Sequence, residues 1–262
     1  MNKKKLYKQF WDDGYLILKN FISKKDIRSI YNQINDLANI SLNSKKKLKK
    51  NLSLDEKYLR LKKFNPKLKS HLYDLTKYCD SLVRLAGSKK FLDHAKMILK
   101  TNTAFIDTPQ VRIDHPKENL NLPQHQELNQ LSKDVITFWI PLVNINKKTG
   151  GIFFRPKTHK LGHVKYKNSN MSATNAGPGR QKIIDKLFQN KRLKKYKSIT
   201  PSLNAGDAII FHSFIFHGTH ANKTDKIRWT YISRYNSIKT APYLKNENTT
   251  LRIPYTADYN LI

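Results

Sequence analysis

Two residues apart in the stretch LNLPQHQELNQ, residues 120–130, stand an imidazole, His125, and a carboxylate, Glu127, just ahead of the most apolar segment of the chain. A strand points residues i and i+2 to the same side, so the two groups project into one space. Taken alone, His125-Gln126-Glu127 reads as a hydrogen-bonded surface pair. A second imidazole follows far downstream, at His217 in FHSFIFHGTHANKTDKIRWTYISRY, residues 211–235. On a strand packed beside the one ending near Glu127, it would complete a set of two histidines and one carboxylate. That donor set suits Fe(II): it covers one face of the ion and leaves the opposite positions open to oxygen and a co-substrate. A zinc hydrolase using the same three donors is a rival, separable by its indifference to oxygen.

Eleven residues past His217, Arg228 opens an apolar strand. Its fork of donors matches a carboxylate bidentately. A 2-oxoglutarate that chelated iron through its keto acid end would need such a cation at its far carboxylate.

The elements that must position these groups divide the chain in two. Tyr7, Phe10 and Trp11 have helical spacing, stopped by Asp12-Asp13-Gly14, and Tyr15 to Leu18 reads as a short buried strand. Ser23-x-x-Asp26 is an acidic capping box that opens a helix over about 24–39, with Ile27, Ile30, Tyr31, Ile34, Leu37 and Ala38 on one face. Residues 43–63 are Lys-rich and read as a solvated segment or a lid. Leu68, Leu72, Leu75, Cys79, Leu82 and Leu85 form a further helical stripe, and Ser88 caps a helix carrying Phe91, Leu92, Ala95 and Leu99. From Thr101 the period switches to two. Ile136, Phe138, Ile140 and Leu142 alternate with Val135, Thr137 and Trp139, residues 146–151 form a hairpin-type turn, and strands are expected at 152–154, 208–211 and 227–235. Helices first and strands afterwards predict a mainly β protein with N-terminal helices, a β-sandwich or barrel. Residues 164–180 read as a long loop suited to covering a pocket, 181–195 as a short charged helix and 238–262 as an irregular tail.

Bulk properties narrow the alternatives. The chain has 262 residues and a formal net charge of +31, with a pI near 10.1, which suggests phosphate-rich partners. Yet only 10 of its 50 basic residues are arginine, and the lysines are spread along the whole sequence. Base reading favours arginine and aromatic platforms gathered on one element, so a nucleic-acid role is disfavoured, although a non-catalytic basic barrel binding an anionic ligand or nucleic acid is the alternative from another class. The basic balance favours an acidic small molecule as substrate. Cys79 is the single cysteine, excluding an intrachain disulfide and a cysteine zinc cage and predicting a cytoplasmic protein. The N-terminal MNKKKLYKQFWDDGY lacks the apolar stretch of a secretory signal, and residues 136–143 are too few to span a bilayer, so no membrane partner is expected.

The order GYLILKNFIS, HQE, ITFWIPLVNINKKTGGIFFRPKTHKLGH and NAGDAIIFHSFIFHGTHANKTDKIR resembles the phytanoyl-CoA dioxygenase family of Fe(II)/2-oxoglutarate oxygenases over most of residues 6–236, outside 43–63 and 164–200. The resemblance implies a single oxygenase domain over 1–262: helical support over 1–100, a double-stranded β-helix (a jelly-roll, cupin-like barrel) over 101–236 with an insertion at 164–200, and a tail from 237. It implies His125, Glu127 and His217 as iron ligands, Arg228 on the 2-oxoglutarate carboxylate, and Fe(II), 2-oxoglutarate and O2 as cofactor and co-substrates, with hydroxylation of a small molecule and release of succinate and CO2. Thr219 sits where the family often carries a hydroxyl near the co-substrate, and Gln126 and Trp139 are further pocket candidates. Two departures stand out: Glu127 replaces the family's usual aspartate, and Pro156-Lys157-Thr158-His159 replaces a Pro-Gly-Ser-His turn. Of the other histidines, His212 is expected on the opposite strand face as a packed residue, His115, His159, His163 and His220 in turn or surface roles with pocket lining as the alternative, and His71 and His94 in structural roles on helices. Arg112 reads equally as a substrate or co-substrate contact and as an ordinary salt bridge.

Overall fold

The computed structural model describes residues 2–43, 52–117, 124–127, 135–162 and 194–237. The expected cover at 164–180, His163, nearly all of the charged segment 181–195 and the tail 238–262 lie outside these residues.

Helix α1, Lys3–Asp13, is capped by Asn2, whose side chain accepts from the Lys4 and Lys5 amides, and it stops at Gly14 with φ +86°. A side chain at Gly14 could not be accommodated, because its Cβ would stand 2.4 Å from the His159 ring. Strand β1, Tyr15–Leu18, follows directly. Helix α2 runs Lys24–Asn43, one turn beyond its expected end, and its capping box is formed: the Asp26 carboxylate accepts from the Ser23 amide at 2.9 Å while Ser23 Oγ accepts from the Asp26 amide at 3.1 Å.

The Lys-rich stretch departs from expectation. Residues Leu54–Phe64 form helix α3, opened by a capping box between Ser53 and Glu56, and its Tyr58 and Leu61 are buried in the core. Acidic residues in the first turn and lysines in the last complement the helix dipole. The leucine stripe from 68 to 85 is likewise broken: α4, Pro66–Leu75, a 3₁₀ turn at Thr76–Tyr78 and α5, Asp80–Ala86, replace one continuous helix. Cys79 sits at the join, half-buried, against the margin of the core. Helix α6, Lys89–Leu99, starts after Ser88 as expected.

Strands β2, Ala104–Asp114, β3, Val135–Pro141, β5, Ala208–His212, and β7, Arg228–Ser237, join β1 in a five-stranded antiparallel sheet of order β1-β5-β3-β7-β2. Two short strands, β4, Ile152–Phe154, and β6, His217–Thr219, form a second sheet. Among the described residues the strands do not close into a barrel.

The alternation along β3 now has a physical meaning. Ile136, Phe138 and Ile140 pack with the helices in the larger core, with Phe91, Ile30 and Ile34 among their neighbours. Trp139, on the other face, joins Ile209, Phe211 and Ile232 against Ile152 and Phe154 of the smaller sheet. Both faces of β3 are covered and the whole strand is buried. Each fully buried aromatic such as Phe138 contributes roughly 1.5–3 kcal/mol over its exposed state.

The turn at Pro156-Lys157-Thr158-His159 keeps its form without glycine. Lys157 takes φ +68°, its amide donates to Asp13 O at 2.8 Å, and Thr158 Oγ1 accepts from the Phe216 amide at 2.9 Å. A left-handed conformation costs a non-glycine residue roughly 1–2 kcal/mol, while glycine adds unfolded-state entropy worth about 0.5–1 kcal/mol. Lys157→Gly is therefore expected to stabilise the protein by about 0.5–1 kcal/mol in chemical denaturation, and a destabilisation would show that this turn is not strained.

Candidate metal centre and adjoining cavity

The segment holding His125 is joined to β6 by reciprocal backbone hydrogen bonds: His125 N donates to His217 O at 2.8 Å, and His217 N donates to His125 O at 3.0 Å. One bridge therefore brings together two residues remote in the chain, with ring centroids 4.3 Å apart. The same segment is fixed by Glu127 N donating to Ser213 O at 2.8 Å. Gln126 completes the anchoring, because its amide donates to Gly162 O at 2.8 Å and Phe214 O at 2.7 Å. Gln126 thus acts as a strut of the segment.

The result is a cluster. Glu127 Oε1 lies 3.9 Å from His125 Nε2 and 3.7 Å from His217 Nε2, and the three ligand atoms fall within 4.8 Å of one another. His217 Nδ1 is held at 3.0 Å from Ile215 O, which leaves Nε2 directed at the cluster. Burial alone would raise the Glu127 carboxyl, but the adjacent Arg234 charge and the two imidazoles hold it well below the usual carboxylate range. An ionised carboxylate with two imidazole nitrogens at these separations fits a divalent cation of the kind the donor set selects.

Beside the cluster opens a cavity of about 480 Å³. Its floor is the inner face of the large sheet, with Thr137 and Trp139 from β3 and Ile232 and Arg234 from β7; β6 adds His217 and Thr219. Thr219 and Trp139 both line this cavity. Helices α3 and α4 form the opposite wall with Tyr58, Ser70, Tyr73 and Asp74. From the described part of the Lys-rich stretch, Tyr58 lines the cavity and is stacked on His115 at 5.4 Å.

Arg228 is 1% exposed. It sits opposite Asp114 in the β2–β7 ladder, pairs with that carboxylate through Nη2 at 2.5 Å and lies 5.9 Å from the Trp139 ring. Its Nε and Nη1 have no hydrogen-bond partner among the described residues. Two buried donors on one planar fork beside cavity-lining Trp139 and Asp114 match an acidic ligand such as the far carboxylate of 2-oxoglutarate. Gly150 makes room for them, since a Cβ there would stand 2.9 Å from Nη1. Asp114 is shared: Arg112 Nε and Nη2 donate to its Oδ2 and Oδ1, each at 2.9 Å. Burial would raise the Asp114 carboxyl, and the two arginines hold it lowered. Arg112 is thus in a buried salt bridge and also lines the cavity.

A family model, phytanoyl-CoA dioxygenase (PhyH), matches residues 10–230. The chain belongs to the phytanoyl-CoA dioxygenase family. It is accordingly an Fe(II)- and 2-oxoglutarate-dependent dioxygenase, a chemistry that also consumes O2. A probable phytanoyl-CoA dioxygenase of Caenorhabditis elegans is 21% identical over 257 residues, covering 91% of this chain and 76% of that protein. Among solved structures, the epimerase SnoN in complex with Fe3+, alpha ketoglutarate and nogalamycin RO has a TM-score of 0.61 at 16% identity, over 90% of this chain and 83% of that one. The apoform of EctD from S. alaskensis has a TM-score of 0.58 at 14% identity, over 95% and 86%. These two likenesses are of fold.

Several other histidines of this PhyH-family chain are engaged in packing or hydrogen bonds. His212 packs edge-on to Trp11 at 5.5 Å and accepts from the Phe214 amide at 3.0 Å, as expected of the opposite face. His159 Nε2 is 3.0 Å from Trp11 O, and burial takes it down to about 4, so it stands neutral. His220 contacts Thr200 Oγ1 at 2.9 Å, and His94 Nδ1 lies 2.7 Å from Lys90 O. His115 lines the cavity. No helix among the described residues is long and apolar enough to cross a membrane.

Sequence reasoning missed Asp114, Arg234 and Asp55. Asp114 and Arg234 carried one signal, the even spacing that puts 112 with 114 and 228 with 234 on one strand face. Asp55 carried none. Its Oδ2 accepts from the Ile227 amide at 2.9 Å and its Oδ1 from Trp229 Nε1 at 2.7 Å, so it grips the residues either side of Arg228 and ties α3 to β7. Asp55→Ala leaves two buried donors unpaired at roughly 1–3 kcal/mol each. A loss of about 2–4 kcal/mol is expected in urea unfolding followed by tryptophan fluorescence, and unchanged stability would mean that the α3 wall is held by apolar packing alone.

Proposed function

We propose that the protein hydroxylates a small organic molecule, with Fe(II) held by His125, Glu127 and His217 and 2-oxoglutarate held at its far carboxylate by Arg228. The observation that carries this reading is the convergence of those three donors within 4.8 Å at the edge of the cavity. Bound Fe(II) and 2-oxoglutarate supply the activation of O2, with succinate and CO2 as co-products. The protein's own part is placement and exclusion. Glu127 and the two histidines would hold the ion through three donors, fewer than Fe(II) accepts, and co-substrate and oxygen would use the rest. Glu127 also fills the position that halogenation would have to vacate for a halide, which favours hydroxylation.

Arg228 receives the co-substrate with Nε and Nη1 while Asp114 keeps Nη2, so the guanidinium stays oriented whether or not ligand is present. Trp139 and Ile232 give the path between iron and Arg228 an apolar lining that excludes water. Thr219 offers a hydroxyl on that path. The α3–α4 wall, with Tyr58, Tyr73 and Ser70, faces the substrate. A small-molecule substrate is supported by the cavity volume and by the fold neighbours, since SnoN is described with nogalamycin RO and EctD with 5-hydroxyectoine. An anionic substrate has less support: Arg112 and Arg234, the lining arginines among the described residues, are already paired with Asp114 and Glu127. The two sheets fit the two halves of a double-stranded β-helix in a single domain, and the lone Cys79 suits a reducing cytoplasm.

Anaerobic addition of Fe(II) and then 2-oxoglutarate is expected to develop the visible charge-transfer band of the chelate in the wild type. His217→Ala and Glu127→Ala are expected to lose both the band and iron-dependent succinate formation. Breaking a buried charge pair costs roughly 3–5 kcal/mol, so Arg228→Ala should raise the 2-oxoglutarate concentration required by about two to three orders of magnitude. Equal 2-oxoglutarate dependence in wild type and Arg228→Ala would overturn the co-substrate assignment.

A further inference from the structure

Glu127 has three rotatable side-chain bonds, and at its backbone the segment is held by a hydrogen bond to Ser213 O. A carboxylate on so long a stem does not stay at one point without a partner at its tip. The structure supplies one. Arg234 Nη2 donates to Glu127 Oε1 at 3.1 Å, and Oε1 is the oxygen that also lies nearest both imidazoles.

Arg234 is well suited to act as a fixed point. It lies on β7 between two ladder neighbours, opposite Asp107 of β2 and Thr137 of β3, so its Cα cannot drift. Its side chain is 17% exposed, and its Nε is buried with no hydrogen-bond partner among the described residues. A guanidinium so enclosed is held by the carboxylate as much as it holds it. An ionised carboxylate has about four lone-pair directions on its two oxygens. It can therefore accept from Arg234 and still present a lone pair to an ion between the imidazoles.

We propose that Arg234 is the positioning residue of the metal centre: it sets the direction of the Glu127 carboxylate so that the three donors are organised before the ion arrives, and it remains hydrogen-bonded to that carboxylate afterwards. This rests on the reading of His125, Glu127 and His217 as the metal ligands. A guanidinium that merely neutralised an empty carboxylate would oppose a dication instead, because the two positive charges compete for one anion. The two roles predict opposite effects of removing the arginine.

Calorimetric titration with Co(II), an iron surrogate, of wild type, Arg234→Ala and Arg234→Lys separates them. The positioning role predicts 10- to 100-fold weaker Co(II) binding in Arg234→Ala, the usual cost of losing a hydrogen-bonding partner of a metal ligand, with partial recovery in Arg234→Lys. It also predicts that the visible Co(II) absorption of Arg234→Ala changes in intensity as Glu127 leaves its set position. Binding within twofold of wild type, or tighter, in a variant that keeps the wild-type far-ultraviolet dichroism overturns the proposal while leaving the ligand assignment intact. Should Arg234→Ala not fold, Arg234→Lys decides: its rigid fork is gone, so wild-type affinity and an unchanged spectrum would overturn the proposal. No 1:1 Co(II) binding by folded wild type would overturn both the proposal and the ligand assignment beneath it.

Discussion

The site depends on two backbone hydrogen bonds. The bridge between His125 and His217 fixes two peptide units antiparallel to one another, and with side chains leaving the backbone in register the imidazoles must fall side by side. The surrounding structure serves that bridge. β4 pairs with β6 on its other side, Phe154 bridges on to Ile199, and Arg155 Nε reaches Gln124 Oε1 at 3.0 Å, one residue before His125. The small sheet is a bracket whose purpose is the relative placement of two rings.

A second constraint concerns charge. The chain is strongly basic overall, yet charge inside the cavity is arranged pair by pair: Asp114 lies between Arg112 and Arg228, and Glu127 lies against Arg234. A buried ion leaves water at a cost of several kcal/mol and persists only where a partner meets it. The surface lysines therefore say little about what enters. Arg112, Arg228, Arg234 and Asp114 stand on β2 and β7, with Glu127 beside them and Asp74 on α4.

Much of the chemistry was legible in the sequence because it rests on residue type and on periods of two. His125, Glu127 and His217 are recognisable as a donor set, Arg228 follows at a spacing that a connection between strands allows, and the alternation of Ile136, Phe138 and Ile140 with Thr137 and Trp139 separates the helix side from the cavity side. What escaped were side-chain contacts across long stretches of chain. Asp55 meets Ile227 and Trp229 because α3 lies across the start of β7, and no local pattern encodes that crossing. The Lys-rich composition around residues 43–63 hid a helix whose capping box at Ser53 and Glu56 was readable, since lysines on the outer face masked the buried Tyr58 and Leu61. Gln126, between His125 and Glu127, donates to two backbone carbonyls that only the folded chain brings near.

The most direct test is the position of the ion. Crystals of the protein grown with Fe(II) under nitrogen, measured at the iron absorption edge, are expected to show one strong anomalous peak bounded by Nε2 of His125, Nε2 of His217 and the carboxylate of Glu127. A peak elsewhere in the molecule, or one that touches a single imidazole, would contradict the account.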